Sequence, residues 1–369
     1  MTTAENTVAV IGAGTMGAGI AQVALEAGWS VRMYDALPGA TDRGRDRILD
    51  GLRRRSDRAG HEPAWIHERM AGLSIVGSPA AAAAGATIVI EAIIEELAAK
   101  RTLFAELDAA STHATILATN TSALSVSAIA TGAALHPDRV IGLHFFNPAP
   151  VLTLVEVVAG AGTDPGVLDR AMAIVTSWGR TPVRSADSPG FIVNRVNRPF
   201  TIEALRMVEA GEARVVEIDM AMRADGFPLG PFELMDLVGL DVNLAAATGV
   251  WEGLGRPERL RPSPIQGWLV REGRLGRKSG IGFYRHETGR DPVPDPLPLR
   301  LAPHPDEARA VPPDEIVRRI RRAVAAEAIL ARDEGVASEA DIDTALWLGA
   351  AHPEGPFAWL RWHDLTIEP

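Results

Sequence analysis

The sequence predicts an α/β domain with a mostly parallel sheet, followed by an all-α domain present in two copies. Three observations predict it. Short apolar runs alternate with helical stretches through the first half of the 369-residue chain. Strand-like runs give way to helical periodicity after about Asp187. The helical pattern found there then returns near the C-terminus at a constant offset. Alternation of the first kind buries a parallel sheet under helices on its faces.

The first module is TVAVIGAGTMGAGIAQVALEAGWSVRMYD. VAVI is a buried strand that ends at Gly12, and a helix runs from about Met16 to Ala27. SVRMY is the next strand, with Asp35 at its carboxyl end. Gly12, Gly14 and Gly17 form G-x-G-x-x-G, a weak signal alone, but here strand, turn, helix and terminal acid all stand in order. Such a Rossmann-like turn lacks side chains, so a pyrophosphate can approach amide groups at the helix N-terminus. Asp35 can accept hydrogen bonds from both adenosine ribose hydroxyls and repels a 2′-phosphate, which selects NAD over NADP. Gly12, Gly14, Thr15, Met16, Gly17 and Asp35 are therefore the expected cofactor contacts. Further strands are read at LSIV (73–76), TIVIEA (87–92), TILAT (115–119), RVIGLHFF (139–146) and LVEVV (154–158), with a helix over 96–110.

Residues 188–250 carry helical periodicity. Residues 291–313 hold eight of the 26 prolines, which forbids a continuous helix or central strand and marks a linker. Beyond it, the segment starting at Ile316 repeats the one starting at Ile192. An offset of 124 superposes Glu203 on Glu327, Gly211 on Gly335, and Ile218-Asp219 on Ile342-Asp343. One inserted residue later, PLGPF (228–232) falls on PEGPF (353–357). The expected organisation is 1–187 as the NAD-binding domain, 188–290 as the first helical copy, 291–313 as linker and 314–369 as a partial second copy.

Composition narrows the function. A net charge of −10 argues against nucleic-acid binding, which needs clustered cations. The absence of cysteine removes disulfides, thiolate metal sites and Cys nucleophiles, and no metal is expected. No apolar run approaches the ~20 residues of a membrane span. MTTAENT lacks the pattern of a signal peptide, so a cytoplasmic location is expected.

His144 stands on a strand in VIGLHFFNP and Glu156 on the next, in LVEVV. An imidazole beside a carboxylate is a general base whose tautomer and proton affinity are set by its partner. A lone His on an apolar strand is more often structural, but the string G-L-H-F-F-N-P-x-P changes those odds. With VIGAGTMGAGIA, VIEAIIEE, TNTSALSV, GLHFFNPAPV, DSPGFIVNRV, GPFELMDLVGLD and GRKSGIGFY, the chain resembles the L-3-hydroxyacyl-CoA dehydrogenase family, 3-hydroxybutyryl-CoA dehydrogenases included, over about residues 7–285. The resemblance implies His144 as catalytic base, Glu156 as its partner, and Ser122 and Asn194 as groups holding substrate oxygens. It implies Glu95, Lys100, Asn147 and Lys278 as contacts to NAD. Lys100 and Lys278 are the chain's two lysines against 35 arginines, an independent fact in keeping with special roles.

The implied reaction is reversible NAD-dependent oxidation of an L-3-hydroxyacyl thioester, with short-chain CoA esters favoured. The match thins over 39–72, which is arginine-rich. Here the resemblance puts Gly51 where relatives have a serine contact, and Arg54 and Arg58 are the expected phosphate contacts of CoA. The same arginines suit the acidic face of an acyl carrier protein, or form a solvated helix face. Hence a carrier-linked dehydrogenase of secondary metabolism, or one acting on a free hydroxy acid, stays open. A non-catalytic NAD-binding protein is the alternative from another class, opposed by the intact Ser122, His144, Glu156 and Asn194. The repeated tail suggests that a surface used by one-copy relatives to dimerise is covered within the chain, leaving monomer or homodimer.

Overall fold

The structure, a computed structural model, describes residues 6–295 and 311–363. The chain divides into two compact units, Met1–Ser188 and Pro189–Pro369. In the first, the elements run β1 (Thr7–Ile11), α1 (Thr15–Glu26), β2 (Ser30–Tyr34), α2 (Ala40–Ala59), α3 (Pro63–Ala71), β3 (Leu73–Ile75), α4 (Pro79–Ala83), β4 (Ile88–Glu91) and α5 (Leu97–Ala110). They continue with β5 (Ile116–Thr119), α6 (Val126–Ala130), β6 (Val140–Phe145), β7 (Leu154–Ala159), α7 (Pro165–Ser177) and β8 (Thr181–Ala186). The strands form one sheet in the order β3-β2-β1-β4-β5-β6-β7-β8. Every neighbouring pair is parallel except β6 and β7. The connection over 146–153 is too short for a crossover helix, so β7 must return antiparallel.

The central strands are mostly apolar because helices cover both faces: β1 and β4 are buried at every position, Thr7 and Glu91 at their ends included. Strand order reverses beside β1, the point at which open α/β sheets take ligands at their carboxyl edge. β8 was not foreseen. Its TPVRSA has no apolar run, and Pro182 is tolerated because β8 is an edge strand. On α2, Gly51 is buried, and a Cβ there would stand 1.9 Å from Gln22 Oε1. It is a helix-packing glycine facing α1.

The second unit holds α8 (Val193–Val196), α9 (Arg198–Glu209), α10 (Val215–Ala224), α11 (Pro231–Val238), α12 (Leu240–Gly253), α13 (Pro264–Arg271), β9 (Tyr284–Arg285), β10 (Val293–Pro294), α14 (Pro313–Asp333), α15 (Glu339–Gly349) and α16 (Pro356–Trp362). The proline-rich stretch begins as β10, antiparallel to β9, and its residues 296–310 lie outside the described residues.

One local arrangement occurs twice here. Asp219 accepts the amides of Phe232 at 2.9 Å and Glu233 at 3.2 Å. Asp343 accepts those of Phe357 at 2.8 Å and Ala358 at 3.0 Å. In each case the glycine of P-x-G-P-F is pressed on that aspartate, with a notional Cβ of Gly230 or Gly355 2.4 Å from the Asp Cβ.

Helix α14 is tied to α8–α10 by charge. Arg195, buried, pairs with Glu327 at 2.7 Å and Glu334 at 2.6 Å. Arg319 reaches Glu203 at 2.7 Å, and Arg321 reaches Asp225 at 2.5 Å. Among the described residues no single helix is long and apolar enough to cross a membrane.

Candidate active site

The glycine turn separates into two roles. Gly12 has φ +104°, and a Cβ on it would lie 2.4 Å from the Ala92 carbonyl oxygen; a Cβ on Gly17 would lie 1.8 Å from that of Gly12. Both are required for packing the turn against β4 and itself. Gly14 is different, since a Cβ there meets nothing within 4 Å. Its open side stands at the N-terminus of α1, which has no side-chain cap, so helix amides at Thr15 and Met16 are presented outward. Asp35 follows β2 and accepts the Ala13 amide at 2.7 Å and the Leu37 amide at 2.8 Å. Those bonds aim its carboxylate at the same turn. The arrangement fits a dinucleotide: space and amides for the pyrophosphate, and a fixed carboxylate for the ribose.

Beyond β4 and β5, a buried polar network fills the sheet's carboxyl edge. Lys100 on α5 is buried, and its Nζ lies 2.5 Å from Glu91 Oε1 and 3.2 Å from Glu95 Oε2. Glu91, fully buried, also accepts the Thr119 hydroxyl and the Ile93 amide, each at 2.7 Å. Glu95 accepts the Thr121 hydroxyl at 2.5 Å and the Ser122 amide at 3.0 Å. Burial pushes the Glu95 carboxyl up, but the Thr121 hydroxyl, the Lys100 ammonium and the Ser122 amide outweigh it and hold the group below its ordinary value. The structure thus brings Glu95, Lys100 and Ser122 together, as the motif reading required. It also shows that Lys100 is engaged by two carboxylates within the protein. Glu91 and Thr121 were missed. A carboxylate inside the apolar run TIVIEA was the available signal, because a buried charge must have a partner.

The sheet itself makes the acid–base pair. His144 and Glu156 are register partners across antiparallel β6 and β7. His144 Nδ1 lies 2.6 Å from Glu156 Oε2, and the two side chains are 8% and 0% exposed. A carboxylate on Nδ1 fixes the proton there and makes Nε2 the accepting nitrogen of the neutral ring. Asn120 steadies the same edge, its Oδ1 accepting the Phe145 amide at 2.9 Å. Phe146 covers the imidazole with ring centroids 4.5 Å apart.

A groove of about 230 Å³ adjoins the glycine turn, lined among others by Thr15, Arg47, Asp50, Arg54 and Asn147. Arg54 and Asn147 are therefore brought together. Arg58, one helical turn further on, is exposed and does not line this groove. In the second unit, Asn194 lies on α8, half-buried. Lys278 is exposed and its Nζ pairs with Asp241 at 2.5 Å.

Comparison with known proteins extends this picture. A family model described as "3-hydroxyacyl-CoA dehydrogenase, NAD binding domain" matches residues 7–188, and one described as its C-terminal domain matches 190–286. A 3-hydroxyadipyl-CoA dehydrogenase of Escherichia coli K12 is 40% identical, over 96% of this chain and 90% of that one. A probable 3-hydroxybutyryl-CoA dehydrogenase of Bacillus subtilis is 41% identical, over 75% of this chain and 96% of the relative. A crystal structure of 3-hydroxybutyryl-CoA dehydrogenase from E. coli K12 superposes with a TM-score of 0.88 at 36% identity. It covers 97% of this chain and 91% of its own.

Proposed function

The chain belongs to the 3-hydroxyacyl-CoA dehydrogenase family and uses NAD to oxidise 3-hydroxyacyl-CoA, and on that premise we propose how its residues do so and on which esters. The substrate class is the short-chain L-3-hydroxyacyl-CoA, converted reversibly to the 3-ketoacyl thioester. NAD supplies the hydride acceptor, held by the Gly12–Gly17 turn and Asp35.

His144 is the base. Its Nδ1–H is donated to Glu156, so Nε2 takes the proton of the substrate hydroxyl as the 3-carbon is oxidised. The ring then carries a positive charge, which the buried Glu156 carboxylate stabilises at contact distance. In the reverse direction the same nitrogen returns the proton to the ketone. Ser122 and Asn194 hold substrate oxygens, and positioned acid–base groups of this kind contribute ~10²–10⁴-fold. Glu95, Lys100, Asn147 and Lys278 serve the nicotinamide side, Lys100 by fixing Glu95. Arg54 is assigned to a CoA phosphate because it lines the groove beside the glycine turn. Arg58 is assigned a weaker part in the same attraction.

The residues after 313 are read as a second, partial helical copy. The repeated Asp–amide arrangement and the buried ion pairs of Arg195 support that reading. This copy covers the surface that a one-copy relative would offer to a partner, in keeping with a monomer.

The observation that carries the proposal is the 2.6 Å His144–Glu156 pair beside the glycine turn's sheet edge. The test is NADH oxidation with acetoacetyl-CoA, run beside the same acyl group on an acyl carrier protein. Turnover of the CoA ester is expected. Turnover on the carrier protein alone would reassign Arg54 and Arg58 to a protein partner.

A further inference from the structure

Two imidazoles and a carboxylate converge at the sheet edge opposite the one that carries the reaction. His113 stands in the turn between α5 and β5, and His136 and Asp138 stand on either side of Pro137 in the segment that enters β6. His113 Nε2 lies 3.0 Å from Asp138 Oδ2, and the His113 and His136 ring centroids are 4.6 Å apart, with the planes tilted by 55°. One donor atom from each of the three residues falls within 4.8 Å of the other two. β5 and β6 are parallel, and the three residues precede them, so the cluster sits at the amino ends of these strands. His144 stands four positions along β6 from Val140, roughly 13 Å at the rise of a strand. The cluster therefore lies outside the acid–base site.

One buried ion pair anchors both loops. Arg139, fully buried, donates to the Asp108 carboxylate at 2.6 Å, to the Thr115 carbonyl oxygen at 3.3 Å and to that of Thr112 as well. It thereby fixes both flanks of His113. The same Asp108 carboxylate accepts the amides of Leu135 at 2.7 Å and His136 at 3.2 Å. The Thr115 hydroxyl donates to the Ala86 carbonyl oxygen at 2.8 Å, and the Asp138 carbonyl oxygen accepts the Asp164 amide at 2.8 Å. Pro137 locks the backbone between the second imidazole and the carboxylate.

A surface ion pair explains only part of this convergence. The His113 side chain is 63% exposed and that of Asp138 42%, and an exposed pair of that kind contributes little. A second imidazole adds nothing to it, and two imidazolium rings at this separation would repel. Two neutral imidazoles and a carboxylate are instead a donor set for a late first-row divalent cation, above all Zn²⁺. A tetrahedral ion with bonds of about 2.0–2.2 Å needs its donor atoms about 3.3–3.5 Å apart. The His113–Asp138 pair at 3.0 Å is already near that separation, and side-chain rotation brings in the half-buried His136. We propose that His113, His136 and Asp138 bind a zinc-class divalent cation, which ties the α5–β5 turn to the segment entering β6. The absence of cysteine removes thiolate sites only, and this donor set needs none. Water completes the coordination on the exposed side, so the ion exchanges with solution and stability follows its concentration.

The test is isothermal titration calorimetry of zinc chloride into the tag-free, full-length protein after dialysis against a chelator, with Tm recorded at each zinc concentration. The expected result is one ion per chain, bound with a micromolar or tighter dissociation constant, and a Tm that rises with zinc. His113→Ala and Asp138→Asn should each weaken binding at least about ten-fold, because each removes a ligand. His113 is exposed, so its replacement leaves the packing intact. Ca²⁺ and Mg²⁺, which take oxygen ligands, should not displace zinc at about a hundred-fold excess. No binding at about 0.1 mM zinc would overturn the proposal. Undiminished affinity in both variants would overturn it too, by placing the ion on other side chains. Displacement by Ca²⁺ or Mg²⁺ would overturn the assignment to a zinc-class ion.

Discussion

Replacing Glu156 by glutamine isolates the charge in the His144–Glu156 pair from its shape. The amide oxygen of Gln can still accept the Nδ1 proton across the present 2.6 Å contact, so ring orientation and tautomer persist. What disappears is the attraction between the imidazolium formed in the reaction and a carboxylate that is wholly buried. For unit charges about 4 Å apart, centre to centre, at an effective dielectric near 20, this attraction is about 4 kcal/mol. Partial compensation by the amide dipole lowers the net loss, and kcat should fall ~10²–10³-fold. The substrate KM should change little, because the charge exists only once the proton has moved. The assay is steady-state NAD reduction with L-3-hydroxybutyryl-CoA, the direction in which the proton moves to His144, accompanied by fluorescence titration of NADH. A kcat near that of the unmodified enzyme, with NADH binding intact, would refute the assignment of Glu156 as the group that stabilises the imidazolium.

Other expectations concern the scaffold and cofactor turn. Glu327→Ala takes one carboxylate from the buried Arg195 and leaves Glu334 in place; removing one partner of a buried pair costs about 3–5 kcal/mol, and the surviving partner favours the lower end. Calorimetry should show Tm lowered by several degrees, and an unchanged Tm would contradict the tie between α14 and α8. Burial, with the neighbouring Arg321 cation, pushes His352 down to about 3 from 6.5. Its contribution is complete above pH 6.5 and is lost as pH falls, because the unfolded chain takes the proton first. At pH 5 the loss is about 2 kcal/mol. His352→Gln, which can keep the bond to Asn197, should flatten the decline of Tm between pH 7 and 5; an identical decline in both proteins would rule this origin out. Gly14→Val should leave Tm unchanged and weaken NADH binding, since its Cβ meets no protein atom. A destabilised Gly14→Val protein that still binds NADH tightly would invert that reading.

Much of the site was legible because its determinants are local. The Gly12–Gly17 turn, Asp35 and the strands bearing His144 and Glu156 each announce themselves within a short window. The pairing of His144 with Glu156 follows from two adjacent strands and a short connection. What was not legible depends on partners distant in sequence. Glu91 and Lys100 meet only when α5 packs beside β4, so the carboxylates that hold Lys100 were not legible. The need for glycine at position 51 shows only once α2 packs on α1. β8 was hidden because an edge strand needs little hydrophobicity.

The decisive measurement is the turnover of acetoacetyl-CoA with NADH by His144→Gln at neutral pH, beside the unmodified enzyme. Glutamine removes the basic nitrogen while leaving the glycine turn and Asp35 untouched. The expected result is a fall in kcat of ~10²–10⁴-fold with NADH affinity retained. Turnover retained at the unmodified level would remove His144 from the chemistry, and with it the role assigned to Glu156.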